Sequence, residues 1–163
     1  MLKILLGVFL TVAAVVAVVV VLGAISPRDH VATGEAIVDK PIETTAALVR
    51  DVGGYPRWRE SVAVTDVRPD AEGVLYRETS GGDAVDYRLA ETTPGERFQN
   101  TILSKDLPWG GYWVIELEPA GTGTRVRVTE HGHVDNLVFR ALSRFVFRHD
   151  SSLKAYLKAL AAA

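Results

Sequence analysis

Glu130 is the strongest candidate in this chain for a side chain that does chemistry. It lies in a segment of alternating apolar and polar residues, which a turn around Ala120 to Gly123 joins to a similar preceding segment. Pairing the two segments across that turn places Glu130 opposite Trp113 on the apolar face of a hairpin. A carboxyl group there is partly desolvated, so it could bond a ligand oxygen or act as a general acid or base. A structural carboxylate satisfied by the protein's own donors is the alternative, and the sequence does not decide between them.

The register of this hairpin also assigns its two faces. Glu116 and Glu118 fall opposite Arg127 and Arg125, so opposite charges meet twice on one face, which supports the pairing. We therefore expect that face to meet solvent and the other face to meet a helix. The apolar face carries Trp113, Ile115 and Leu117 opposite Glu130, Val128 and Val126.

Two tyrosines on a second predicted hairpin are further candidates. In the segment VLYRETSGGDAVDYRL, a turn at Gly81-Gly82 pairs Tyr76 with Tyr87 on one face. The same pairing sets Arg77 opposite Asp86 on the other face, where the opposite charges support the register. Both phenol groups would then point to the same side of the sheet, where they could meet a ligand.

Other kinds of chemistry find little support. His131, His133 and Asp135 alternate as metal ligands can, but a glycine interrupts them and no fourth ligand is evident, so we expect no metal. The chain has no cysteine and no serine-hydrolase, phosphate-loop or dinucleotide-binding motif. Its formal net charge of -2 gives no indication of nucleic-acid binding. The sequence predicts no cofactor.

The N-terminal segment differs in composition from the rest of the chain. No charged residue occurs from Ile4 to Ile25, and as a helix this run would extend about 33 Å, close to the thickness of a bilayer core. A cleaved signal peptide is the alternative, but its apolar region is usually shorter and the cleavage site here is poor. We predict a transmembrane anchor over residues 1–26, a linker over 27–29 and one domain over 30–163.

Charges beside the anchor bear on its orientation. Lys3 and the amino terminus favour a cytoplasmic N-terminus, whereas Arg28 and Lys40 reduce the asymmetry. The sequence therefore predicts a single-pass protein of the cell membrane with its domain outside the cytoplasm. It gives no indication of oligomeric state.

The order of predicted elements indicates an α+β domain. A strand from His30 to Val38 precedes a short helix that begins near Pro41 and ends at Gly53-Gly54. Period-two segments then fill Ser61 to His133, and a long helix follows from about Leu137 to Ala161. A curved antiparallel sheet around a C-terminal helix satisfies that order with short connections.

The long predicted helix has two faces. Asp135 or Asn136 would cap it, and Arg140, Arg144 and Arg148 form a basic stripe that we interpret as solvated. His149 falls within the apolar stripe, where a satisfied core histidine is expected. The apolar stripe comprises Val138, Leu142, Phe145, Leu153, Tyr156 and Leu160.

Several segments, in their order and spacing, resemble a known family. They are VDKPIETTAALVRDVGGYPRW, LPWGGYWVIELEPAGTGTRVRVTE, NLVFRALSRFVF and YLKAL. Together they are similar to the START-like (SRPBCC) superfamily, and within it to the polyketide cyclase/dehydrase-like branch. The resemblance covers nearly everything after His30. It implies the helix-grip fold, in which sheet and long helix enclose a mostly apolar cavity.

That fold suggests places for the candidate residues. The segment after the first helix would form part of the cavity rim, so Tyr55 and Trp58 would close one end, with Pro56 fixing the turn between them. Plain packing of the core end is the alternative for both aromatics. The predicted ligand-binding residues are thus Tyr55, Trp58, Tyr76, Tyr87, Trp113 and Glu130.

Three functions remain open from the sequence. The favoured one is a membrane-anchored domain that binds a hydrophobic small molecule or lipid in an internal cavity. The second is an enzyme of the cyclase/dehydrase or aromatase type that uses Glu130 and a tyrosine as its acid and base. The third is a non-catalytic scaffold with a filled core.

Overall fold

The structure is a computed structural model that describes residues 1–145 and 151–163, without the side chains of Leu2 and of residues 142–145. An N-terminal helix precedes a sheet of seven strands, two short helical segments follow the first strand, and two helical segments end the chain. The helices are α1 (Leu2–Ile25), α2 (Ile42–Arg50), a 3₁₀ helix (Val52–Arg57), α3 (Leu137–Phe145) and α4 (Ser151–Ala162). The strands are β1 (Asp29–Val38), β2 (Val62–Asp70), β3 (Gly73–Ser80), β4 (Asp83–Thr93), β5 (Arg97–Ile102), β6 (Trp109–Ala120) and β7 (Gly123–Val134).

The seven strands form one antiparallel sheet in the order β1-β7-β6-β5-β4-β3-β2. Strands β2 to β7 are joined as successive hairpins, so each lies beside its neighbour in sequence. Strand β1 forms one edge of the sheet. It pairs with β7, and Asp29 lies opposite His133. The predicted curved antiparallel sheet with a C-terminal helix, the helix-grip architecture, is confirmed.

Both predicted hairpin registers are confirmed. Tyr76 lies opposite Tyr87, and Trp113 lies opposite Glu130. The β3–β4 turn consists of two glycines at positions 81 and 82 with φ angles of 61° and 93°. Such positive angles suit glycine and match the twist of a two-residue hairpin.

The outer face of the sheet carries ion pairs, one of which differs from the predicted pattern. Arg125 lies 3.6 Å from Glu118 as the register predicts. Arg127 also lies opposite Glu116, but its Nε is 2.6 Å from Glu35 on β1. The sequence of one hairpin could not indicate this partner, because β1 joins the sheet from far away in the chain.

The inner face of the sheet packs against α4 to form the core. On β6, Ile115 and Leu117 are buried while Glu118 is exposed, so the predicted face assignment is confirmed there. Phe98 of β5 has no exposed surface at all. From α4, the buried side chains are Leu153, Tyr156, Leu157 and Leu160.

The C-terminal helical region departs from the predicted apolar stripe at Val138. That residue is 45% exposed, because α3 contacts α1 more than it contacts the sheet. Of the two predicted N-cap candidates, Asp135 and Asn136, it is Asn136 whose Oδ1 accepts hydrogen bonds from the backbone N–H groups of Val138 and Phe139, at 2.9 and 3.1 Å. The predictions for the middle of the helix lie outside the described residues or side chains; they concern Leu142, Arg144, Phe145, Arg148 and His149.

Helix α1 stands apart from the core. In the described part of the chain it is the one helix long and apolar enough to cross a membrane, and most of its residues are exposed. Its C-terminal end meets the start of α3 at Gly23, where any side chain would collide with the Leu137 carbonyl. The two helices therefore lie against each other at the point where α1 leads into the domain.

Candidate functional site

The domain contains a cavity of about 1170 Å³. Its lining comes from the inner face of the sheet, the segment after α2, and α4. A cavity of this size argues against the filled-core alternative, and it is somewhat larger than most small-molecule sites. Apolar lining residues other than the large aromatics include Val62, Val85, Ile102, Ile115, Val134, Ala155 and Ala159.

A chain of aromatic rings forms one wall of the cavity. Tyr55 meets Trp58 with ring centroids 5.2 Å apart, and Trp58 meets Tyr156 at 5.5 Å. Tyr156 in turn meets Trp113 at 5.6 Å, and all three contacts are edge-to-face. Such contacts hold large side chains in defined orientations, so this wall is rigid as well as apolar.

Tyr55 combines the two roles that the sequence left open. It borders the cavity, yet only 1% of its surface is exposed. Its hydroxyl donates a hydrogen bond of 2.8 Å to the Val49 carbonyl, which ties the 3₁₀ segment to α2. Burial raises the pKa of the Tyr55 phenol well above its usual value, so the group stays neutral and keeps this bond.

Replacing Tyr55 by Phe is expected to lower the free energy of unfolding by about 0.5 to 1.5 kcal/mol. The change removes the donor to the Val49 carbonyl and leaves that buried acceptor unpaired. Equilibrium denaturation by urea measures the effect, with Tyr112→Phe as control because Tyr112 lies at the surface. A loss no greater than that of the control would show that the bond contributes nothing to stability.

Tyr76 and Tyr87 stack on each other as the register predicts, with ring centroids 5.3 Å apart. Tyr87 borders the large cavity, and both tyrosines border a smaller pocket of about 200 Å³. The Tyr76 hydroxyl accepts a hydrogen bond of 2.8 Å from Asn100 Nδ2. Burial raises the pKa of both phenols, and for Tyr76 the Asn100 bond opposes the rise. Of the six predicted ligand-binding residues, all except Tyr76 therefore border the large cavity; ligand contact itself stays a prediction.

Glu130 lies within the cavity lining with one oxygen engaged. Its Oε1 is 3.3 Å from Nε2 of His30 on the neighbouring strand β1. Its Oε2 is buried and has no hydrogen-bond partner among the described residues. The side chain is 19% exposed, so the carboxyl group is partly satisfied by the protein and partly open to a ligand.

A buried ion pair at the cavity wall was not predicted. Arg59 binds Glu78 through two hydrogen bonds of 2.7 and 2.8 Å, with the two side chains only 18% and 11% exposed. The guanidinium also lies over the rings of Tyr55 and Tyr156. Burial lowers the pKa of Arg59, but the hydrogen bonds and charge of Glu78 outweigh it and raise the pKa overall.

Tyr156 of α4 completes this wall and was predicted only as a core residue. Burial raises the pKa of its phenol, opposed by the charge of Arg59 and by the Tyr55 hydroxyl. The two hydroxyl groups are near enough to influence each other, but they do not form a hydrogen bond of ordinary geometry. Tyr156 therefore presents a neutral phenol beside the Arg59–Glu78 pair.

The two histidines in the second half of β7, His131 and His133, contact other side chains. His131 stacks on Tyr112 with ring centroids 4.8 Å apart, and His133 Nε2 is 3.7 Å from Asp135 Oδ2. Asp135 also pairs with Arg28 at 2.7 Å. Within the part of the chain that the structure describes, no three histidine or carboxylate side chains are grouped so that they could hold a metal ion.

The curved sheet, the C-terminal helix and the cavity between them define a START-like, helix-grip protein. Sequence comparison gives the family within that class. A family model described as "Polyketide cyclase / dehydrase and lipid transport" matches residues 29–163, and the chain belongs to this family. No curated protein matches it significantly.

Solved structures from distant proteins have the same fold. A START superfamily protein from Mycobacterium smegmatis is 16% identical, with a TM-score of 0.64 over 82% of this chain and 95% of that chain. The protein TTHA0849 from Thermus thermophilus is 20% identical, with a TM-score of 0.67 over 82% and 95%. The di-domain ARO/CYC StfQ from the steffimycin biosynthetic pathway is 10% identical, with a TM-score of 0.66 over 82% and 50%. At such identities the likeness establishes the fold alone.

Proposed function

We propose that this chain is a membrane-anchored START-like domain that binds a hydrophobic small molecule or a lipid in its cavity. The observation that carries the proposal is a cavity of about 1170 Å³ with a wall of edge-to-face aromatic rings. Burial of apolar surface at about 25 cal/mol per Å² supplies the affinity in such a site, and a few polar groups supply the selectivity.

Tryptophan emission gives a direct test of binding. All three tryptophans of the chain, Trp58, Trp109 and Trp113, border the cavity, so an occupant should change their fluorescence. Fluorescent fatty acids, sterols and polycyclic aromatics would be titrated into the full-length chain, and native mass spectrometry would identify co-purified molecules. Absence of binding at high micromolar concentration, together with no co-purified molecule, would refute the proposal.

An enzyme of the cyclase/dehydrase or aromatase type is the second candidate. Glu130 favours it, because this residue borders the cavity, its Oε2 has no hydrogen-bond partner among the described residues, and its charge acts on Tyr87. Burial keeps the Tyr87 phenol protonated, so a tyrosine here would donate a proton rather than accept one. Glu130→Gln would then reduce turnover by about 10² to 10⁴-fold, whereas a binding domain would lose only affinity or selectivity.

The proposal divides the chain into an anchor over residues 1–26, a linker over 27–29 and the domain from 30 onward. Support comes from α1, which is apolar and exposed along most of its length. Phe139 of α3 is 45% exposed and also borders the cavity. An anchor of this kind would hold the cavity beside a cell membrane, and the flanking charges favour a domain outside the cytoplasm.

The anchor is expected to stay on the mature protein. Protein extracted from membranes should retain α1 when its intact mass is measured, because the run is longer than a signal-peptide core and lacks a good cleavage site. Carbonate washing should leave the chain in the pellet. A mature chain that begins near Ser26 would identify α1 as a signal peptide and remove the anchor from the proposal.

A further inference from the structure

Three side chains form a row across the inner face of the sheet. Asn100 of β5 lies opposite Trp113 of β6, and Trp113 lies opposite Glu130 of β7. All three border the cavity. Since neighbouring strands lie about 4.8 Å apart, the backbones at Asn100 and Glu130 are separated by about 10 Å, with the indole between them.

The two ends of this row present hydrogen-bond acceptors. Asn100 uses its Nδ2 to donate to the Tyr76 hydroxyl at 2.8 Å, and its Oδ1 is buried without a partner among the described residues. Glu130 has Oε1 near His30 and a buried Oε2 that likewise has no such partner. Buried acceptors without donors are costly, so a ligand that brings donors gains more here than one that brings acceptors.

The charges around the cavity also favour a ligand that donates hydrogen bonds over one that carries a negative charge. Among the described residues of the lining, four carboxylates occur with two cations and three histidines. One of the cations, Arg59, is held by Glu78 through two hydrogen bonds, and the other, Lys158, lies at an exposed position on α4. The remaining carboxylates are Glu60, Asp83 and Glu130. Within the described lining, an anionic head group would therefore meet more carboxylates than cations, and the buried cation, Arg59, is already bound by Glu78.

We propose that the cavity selects apolar ligands whose polar end donates hydrogen bonds, as a hydroxyl or an ammonium group does, over ligands with a carboxylate. The Glu130 carboxylate and the Asn100 side-chain amide supply the accepting groups, and Trp113 packs against the first carbons of the ligand. This inference rests on the proposed function, because it concerns the occupant of the same cavity.

A matched series of ligands tests this selectivity. Undecanol, undecylamine and dodecanoate share one undecyl chain and differ only in the head group. Each would be titrated at pH 7 into the full-length chain in nanodiscs while Trp emission is followed, with empty nanodiscs correcting for partition into lipid. We expect the alcohol and the amine to bind at least about 10-fold more tightly than the carboxylate. Equal affinities, or tightest binding of dodecanoate, would overturn the inference and leave the proposed function standing; no binding of any of the three would count against the proposed function instead.

Two variants locate the effect at the named atoms. Glu130→Gln presents an amide that can donate to a carboxylate, so it should reduce the amine-to-carboxylate preference by about 10-fold. Asn100→Leu removes the second acceptor and should weaken the alcohol and the amine several-fold while leaving dodecanoate unchanged. Glu118→Gln on the outer face is the control for loss of charge. If Glu130→Gln keeps the native preference, the selectivity does not come from this row. The ligand series on the native chain tests the selectivity itself, independently of how the variants fold.

Discussion

Replacement of Glu78 by Ala is expected to lower the free energy of unfolding by about 3 to 5 kcal/mol. The change leaves the Arg59 guanidinium largely buried without its counter-charge and without two hydrogen bonds. Equilibrium unfolding in urea measures this loss. Simultaneous replacement, Arg59→Met with Glu78→Leu, should restore most of the stability because it removes both charges together.

The outer face of the same hairpin provides the control for this prediction. Asp86 pairs with Arg77 at 2.7 Å, but both side chains are about half exposed. Asp86→Ala should therefore cost well under about 1 kcal/mol. If Glu78→Ala cost as little as Asp86→Ala, the Arg59–Glu78 pair would be no more important than a surface ion pair.

Placing a bulky side chain in the cavity is expected to abolish ligand binding. Ala155 of α4 borders the cavity, and Ala155→Trp would place a large indole in the space that a ligand needs. An aromatic side chain buries at least about 150 Å², which at about 25 cal/mol per Å² amounts to a loss of about 100-fold or more in affinity. Titration of the apolar probe that binds the native chain most tightly gives the change in Kd.

The matched control for this variant lies on the same helix. Ala161 is exposed and does not border the cavity, so Ala161→Trp should leave the Kd unchanged. Thermal unfolding of both variants checks that the helix still packs on the sheet. Unaltered binding by a folded Ala155→Trp variant would mean that the ligand occupies some other part of the molecule.

Local pattern was enough to predict the two hairpins, whereas the fold followed from the order of the elements and the family resemblance. The glycine turn at 81–82 and the facing pairs Arg77–Asp86 and Glu118–Arg125 fix each register within a short stretch of chain. Once the register is fixed, alternation decides which side chains share a face. The face of Glu130 therefore followed from the sequence, although what it touches there did not.

Contacts between distant segments could not be predicted in the same way. His30 reaches Glu130 across 100 residues of sequence, and no local pattern indicates which strand will pair with β1. Val138 illustrates the same limit, because helical periodicity marks an apolar face but not whether α1 or the sheet covers it.

The sequence could indicate one member of the Arg59–Glu78 pair but not the other. Glu78 is two residues beyond Tyr76 on β3, so alternation puts it on the same inner face. A second acidic residue on an apolar face was thus a sequence signal for a buried ion pair. Arg59 follows the 3₁₀ segment, where side-chain direction depends on turn geometry that no periodicity encodes.

The pairing of β1 with β7 has a consequence for how the domain is made. β1 is synthesised first among the strands, yet its one neighbour in the sheet is the last strand to leave the ribosome. Strands β2 to β7 can pair in turn as they emerge, whereas β1 must wait for a contact that closes nearly the whole domain. Until then its backbone donors and acceptors have no partner strand. Completion of the sheet therefore comes at the end of synthesis, and any chain that stops short of Gly123–Val134 leaves β1 open to pairing with other molecules.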